Sequence, residues 1–289
     1  MFPQIFRRKI LTWYRRNARH DLPWRQTRDS YRILVAEVML QQTQVVRVLD
    51  YYRGFLQKFP TVRHLARAPL GDVLALWSGL GYNRRARYLW EAAQVVVRAF
   101  AGTFPRDAAT LETLPGVGPY TANAVCCFSG GACEPFLETN IRRVMLYYFF
   151  PRSKNVSDKK LLATLKRIAP RTNQRDWYLA LMDYGALAMG EVENPNRRAK
   201  NYTRQSKFEG SNRELRGKIL RILLTEHSAT VAELQQGISP LPHLQKMASV
   251  LATLRNDGLV SCPASLTARS LCGIVDSGKR RPKIGRAHV

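Results

Sequence analysis

The sequence predicts a mainly α-helical protein that ends in a small α+β module, and three observations carry that prediction. Apolar residues in 1–190 recur at helical spacing, and no stretch there alternates with the period of two that a substantial sheet requires. Breakers such as Phe59-Pro60-Thr61 and Ala68-Pro69 fall between the helical stretches. Beyond residue 213, three helical patterns precede a short hairpin pattern, the element order of a winged helix. A chain of 289 residues can bury one large core or two moderate ones. We expect a main domain over 1–190, a basic linker over 191–213, a winged-helix-like module over 214–275 and a basic tail over 276–289.

The first helix places Ile5, Phe6, Ile10 and Tyr14 on a core-docking face. Asp21-Leu22-Pro23-Trp24-Arg25 reads as a turn in which Trp24 packs and Arg25 is available to a phosphate. Tyr31 to Val48 is apolar on nearly every face, which predicts one buried helix with Glu37 as its lone acid. Desolvation would keep that carboxyl protonated unless it is paired, so a catalytic acid and a structural Glu satisfied by Arg or backbone amides stand level here. Amphipathic helices follow to Phe100, interrupted by Gly79-Leu80-Gly81-Tyr82 ahead of Arg84, Arg85 and Arg87. That loop suits contact with DNA, or else it is a helix C-cap before a solvated basic turn.

Leu114 to Val144 contains two predicted helix starts. Gly116 and Gly118 form a tight turn before Pro119, whose fixed φ suits the first residue of a helix, and the exposed amides make an anion cradle for a DNA phosphate. Glu138 precedes Thr139-Asn140-Ile141, where the positive end of a helix dipole favours the ionised carboxylate. Taken singly, these are an ordinary turn and a solvated first-turn acid. Two more helical patterns occupy 152–190, the second running from Trp177 to Met189. The polar segment 191–213 carries Arg197, Arg198, Lys200, Arg204 and Lys207, and helices at 214–224, 231–238 and 244–256 lead to a hairpin at 259–275. The ending Ile284-Gly285-Arg286-Ala287-His288-Val289 reads as a translated sequencing adapter, so the natural C-terminus is expected to be missing.

A net charge of +25 points to a polyanionic partner, nucleic acid or an anionic membrane surface. No apolar run approaches membrane-spanning length and the N-terminus lacks a signal-peptide core, so a soluble cytoplasmic protein is expected. The five cysteines form no CxxC pair and no metal-ligand spacing with histidine, which argues against a disulfide framework and for a reducing compartment.

With Glu37, the Gly-Pro turn and Glu138 in hand, the chain resembles the helix-hairpin-helix DNA glycosylase superfamily, specifically adenine glycosylases of the MutY type. The matching stretches are Pro23-Trp24-Arg25, Glu37-Val38-Met39-Leu40-Gln41-Gln42-Thr43-Gln44-Val45, Trp77 to Tyr82, Leu114 to Ala122, Asn140 to Val144 and Met182 to Ala186. The resemblance implies a two-lobed helical fold, with a barrel lobe at about 29–137 and a second lobe from 1–28 and 138–190. It implies that Glu37 protonates adenine, that Tyr120 assists in the pocket, and that Gln42 and Tyr82 wedge into the stack as the base is flipped. Arg25, Thr43, Leu80, Gly116, Gly118 and Asn140 join these as DNA-binding candidates. Glu138 occupies the position of the superfamily aspartate that stabilises the cationic sugar, one methylene longer than is usual there. The four-cysteine iron-sulfur loop expected after Met189 has no counterpart, since 190–261 contains no cysteine, so no cluster is expected.

Glycosidic cleavage needs one protonated and one ionised acid, and Glu37 and Glu138 have surroundings expected to push their pKa values apart. Lyase-type relatives carry a hairpin lysine that forms a Schiff base with the sugar; here that position is Tyr120 and no lysine occurs from Gly102 to Thr139. The expectation is therefore a monofunctional, monomeric enzyme that takes mispaired adenine from duplex DNA. A thymine or uracil mismatch glycosylase and a non-catalytic DNA-binding protein are the alternatives.

Overall fold

A computed structural model describes residues 3–203 and 207–275. Arg204 and the tail over 276–289, with its adapter-like end, lie outside the described residues. In chain order the helices are α1 (Pro3–Asn17), α2 (Ser30–Leu40), α3 (Val45–Lys58), α4 (Val62–Arg67), α5 (Leu70–Trp77), α6 (Arg84–Ala99) and α7 (Ala108–Glu112). There follow α8 (Pro119–Ser129), α9 (Thr139–Phe149), α10 (Asp158–Ile168) and α11 (Gln174–Asp183). The C-terminal elements are α12 (Asn212–Glu226), β1 (Ser228–Thr230), α13 (Val231–Gln236), α14 (Leu244–Asn256), β2 (Val260–Ser261) and β3 (Leu271–Ile274). The fold is mainly helical with one small sheet, as the helical periodicity of 1–190 predicts.

The chain divides into two compact units, Met1–Tyr52 with Arg98–Gln205, and Arg53–Val97 with Ser206–Val289. The boundaries depart from the expected lobes and linker. In the first unit, α2 packs on α8, which explains why α2 is apolar all round, and Asp29 caps it by accepting the Arg32 N–H at 3.1 Å. Phe6, Ile10 and Tyr14 of α1 are buried as expected, but Ile5 is 51% exposed. Phe6 sets its ring edge-on to Phe149 and Trp177, and the α1 stripe is filled without Ile5.

Three further expectations are corrected within this unit. The helix expected over 31–48 is two helices, because the chain turns at Gln41–Gln44 with Gln42 at φ 55°. The helix expected to run to Met189 stops at Asp183 and widens into a π-turn over Tyr184–Ala188. A Cβ on Gly185 would overlap the Asn140 carbonyl, so this turn lets the start of α9 approach closely. The segment read as linker begins as core: Pro195, Asn196 and Ala199 are buried, and Val156 bridges Ala199. Asn196 Nδ2 donates to Thr139 O at 3.1 Å and Arg198 Nη2 to Leu146 O at 3.2 Å, so the segment clasps both ends of α9.

In the second unit Phe55, Phe59 and Trp77 pack edge to face, with Trp77 fully buried. α12 packs on both α5 and α14, so the C-terminal helices share a unit with α4 to α6 instead of standing alone. The sheet is antiparallel in the order β1-β3-β2, pairing Ala229 with Cys272 and Ser261 with Gly273. A hairpin was expected; β1, too short for its alternation to be read, adds a third strand. Thr230 and Glu233 form a reciprocal capping box that starts α13 directly from β1.

Candidate active site

Glu37 reaches a cavity of about 370 Å³ in the first unit, because α2 presents it on the face packed against α8. Tyr120, in the first turn of α8, donates its phenol to Glu37 Oε2 at 2.7 Å. Glu138 and Asn140, at the start of α9, line the same cavity, and Gln42 and Thr43 stand on its rim. Phe136 stacks on Tyr178 with ring centroids 4.1 Å apart and meets Tyr120 edge-on, so packed aromatic rings back the phenol that lines the cavity. The volume falls in the usual range for small-molecule sites, so one flipped base is a fitting occupant.

Burial pushes the Glu37 carboxyl up to about 7, against the phenol's opposing pull, and the negative field of Glu138 adds to the rise. Glu37 thus holds a proton into the neutral range, as a catalytic acid requires. Glu138 behaves differently from the expectation of a depressed carboxylate. It caps α9, with Oε1 accepting the Ile141 N–H at 2.6 Å and Oε2 accepting Asn140 Nδ2 at 3.1 Å. Its pKa is nevertheless raised, because burial outweighs those donors. Both acids are therefore displaced upward against donors that favour the anion, amide N–H groups for Glu138 and the Tyr120 phenol for Glu37. Burial also raises the Tyr120 phenol well above its ordinary value, which keeps it a hydrogen-bond donor.

Several candidates fall where the sequence places them. Gly116 turns the α7–α8 hairpin at φ 72°, and Gly118 caps α8 with Pro119 in its first turn. A Cβ on Gly118 would meet nothing within 4 Å, so the backbone there is open to a phosphate. Gln42 is exposed in the left-handed region, which is uncommon for a residue with a side chain and clusters at functional sites. Thr43 Oγ1 bonds Gln41 O at 3.3 Å within the same turn.

Two candidates do not. Arg25 is buried, donating to both carboxylate oxygens of Asp183, with Nη2 to Oδ1 at 2.8 Å. It lines the cavity as half of an internal ion pair, because the fully buried Asp183 needs its charge and that of Arg19. Leu80 is 6% exposed and packs in the second unit as the apolar anchor of the loop that carries Tyr82. Tyr82 is partly exposed at φ 50°. Asp183 is the polar group that sequence reasoning overlooked, although a lone acid after the apolar run Trp177–Met182 carries the same signal that singled out Glu37.

The iron-sulfur cluster that the resemblance implies does not fit the residues that follow Met189. No cysteine occurs in 190–261, and Pro195, Asn196 and Ala199 of that segment are buried.

A helix-hairpin-helix element facing a cavity with two carboxyl groups defines a class of base-excision protein. The profile described as "HhH-GPD superfamily base excision DNA repair protein" matches residues 35–171. The adenine DNA glycosylase of Mycolicibacterium smegmatis is 34% identical over 271 residues, 87% of this chain and 91% of that one. That of Buchnera aphidicola from Baizongia pistaciae is 39% identical over 184 residues, 63% of this chain and 52% of that one. The chain spans about half the length of the Buchnera relatives it matches. A thermostable thymine-DNA glycosylase structure superposes with a TM-score of 0.60 at 31% identity, covering 68% of this chain and 92% of its own. The chain belongs to the adenine DNA glycosylase family of the HhH-GPD superfamily. No helix among the described residues is long and apolar enough to cross a membrane.

Proposed function

We propose that this protein is a monofunctional glycosylase that flips mispaired adenine out of duplex DNA and hydrolyses its N-glycosidic bond. The observation that carries the reading is the meeting of Glu37, Tyr120 and Glu138 at one cavity, in a chain 34% identical to an adenine DNA glycosylase over most of both lengths. The protonated Glu37 carboxyl gives its proton to the adenine ring as the bond from C1′ to the base breaks, so the base leaves neutral. The sugar becomes an oxocarbenium ion, whose positive charge the Glu138 carboxylate offsets at short range. Water adds to C1′ and releases a proton, leaving an abasic site. Tyr120 orients Glu37 and stands where lyase-type relatives carry a lysine, so no Schiff base with the sugar forms.

The reading assigns Gln42 and Tyr82 each to insertion into the base stack of the duplex. The amides around Gly116 and Gly118 hold a phosphate, and the net charge of +25 supplies salt-dependent affinity for the backbone. The enzyme is proposed to work as a cytoplasmic monomer without an iron-sulfur cluster. Its relationship to the thymine-DNA glycosylase favours thymine as the competing substrate. A panel of duplexes containing A opposite 8-oxoguanine, A:G, A:C, G:T or G:U tests the choice. Alkali-revealed cleavage at A in the first two supports it, and cleavage confined to T or U replaces it with the mismatch reading.

A further inference from the structure

We propose that the C-terminal module acts as a brace for the Tyr82 loop, with Arg213 as a positioning residue that presets the phenol ring for insertion into DNA. The proposal rests on the role given to Tyr82 above.

The loop lies between α5 and α6 and adopts a backbone that must be held in place. Gly79, Gly81 and Tyr82 take φ of 103°, 76° and 50°, and the last is costly for an aromatic residue. Gly81 O is fixed from within the unit, accepting Trp77 Nε1 at 3.2 Å and Arg85 Nη2 at 3.1 Å. The ring of Tyr82 is then held by the module. Arg213, in the first turn of α12, donates Nη1 to the phenol oxygen at 2.7 Å, and its guanidinium carbon lies 5.4 Å from the ring centroid. Arg85 lies at the same distance, so two guanidinium groups share one π-system.

The module is fastened to both helices that flank the loop. α12 packs on α5. Asp257, at the end of α14, accepts from Arg216 of α12 and from Arg84 of α6, while Arg87 of α6 bonds its carbonyl. Meanwhile α14, the helix that would enter the major groove in a DNA-reading winged helix, uses its cations internally. Lys246 donates to Gly210 O at 3.0 Å and Arg255 to Pro263 O at 2.6 Å. The two cations of α14 are thus engaged within the module, and what α12 offers at its N-terminal end is the Tyr82 clamp.

The test uses the full chain and a duplex with A opposite 8-oxoguanine, carrying 2-aminopurine beside the target adenine to report unstacking. Arg213→Met is expected to lower the unstacking signal and the single-turnover rate by about tenfold, a typical coupling for two side chains in contact. Thermal midpoint and affinity for undamaged duplex should stay at wild-type values. Arg213→Lys, which keeps one donor, should recover part of the loss. In the Tyr82→Ala background, Arg213→Met should cost nothing more. An equal loss with and without Tyr82 means that Arg213 serves DNA directly and overturns the proposal. Wild-type excision by Arg213→Met beside a slow Tyr82→Ala overturns it while leaving the assigned role of Tyr82 intact. Full activity in Tyr82→Ala removes that role, and the brace with it. Should Arg213→Met not fold, Tyr82→Phe removes only the acceptor oxygen and must still slow unstacking several-fold.

Discussion

Replacing Glu37 with Gln should stabilise the folded protein at pH 8 and do much less at pH 5. Burial lifts the carboxyl from 4.5 to about 7, so the folded state holds the proton more tightly than the unfolded state does. Between those two values the unfolded state binds fewer protons, and stability falls as pH rises through the window. One pKa unit is worth 1.36 kcal/mol, which gives a penalty of about 1 kcal/mol at pH 5 and about 3 kcal/mol at pH 8. The Gln amide cannot ionise, retains an oxygen for the Tyr120 phenol and escapes the penalty. Any offset from exchanging acid for amide is common to both pH values and cancels in the difference. The assay is urea unfolding of both proteins at pH 5 and pH 8, followed through Trp13, Trp24 and Trp177 of the first unit. A variant that gains about 2 kcal/mol more at pH 8 than at pH 5 agrees with the argument. One that loses stability as pH rises would refute it, showing that Glu37 is an ionised, paired carboxylate in the folded state.

Glu138→Gln keeps an acceptor for the Ile141 amide but loses the charge, and single-turnover excision should fall by about 10²-fold or more with little change in thermal midpoint. Glu138→Asp retains the charge and should keep more activity than the Gln variant, as rates on the same duplex will show. Borohydride should trap no protein-DNA adduct, since the hairpin position is Tyr120; efficient trapping on SDS gels would overturn the monofunctional mechanism. Purified protein should be colourless and iron-free by elemental analysis, and Asn196→Ala should lower the thermal midpoint because it releases the start of α9.

Glu37 was legible because a single acid in an apolar helix is a chemical anomaly that one chain exposes unaided. The two helix starts at Pro119 and Thr139 were legible for a similar reason, since Pro at the first position and an acid before the first turn are local signals. What escaped depends on partners distant in sequence. Arg25 presents itself as a cation on a turn until Asp183, 158 positions away, accepts from both its terminal nitrogens. The raised pKa of Glu138 depends on the cavity walls around it, whereas its helix-start position alone suggests the opposite sign. The polar composition of 191–213 hid Pro195, Asn196 and Ala199, which need α9 beside them to count as core. The attachment of the C-terminal module arises through Arg84, Arg87 and Arg216 meeting at Asp257, and each is an ordinary surface charge in its own segment.

The central claim is that Glu37 protonates a flipped adenine, and it is tested most directly by the single-turnover rate at pH 7 on a duplex with A opposite 8-oxoguanine. Wild type should excise the adenine, and Glu37→Gln should do so about 10²-fold to 10⁴-fold more slowly while binding the duplex with similar affinity. An undiminished rate in the variant, or no adenine release by wild type, would contradict it.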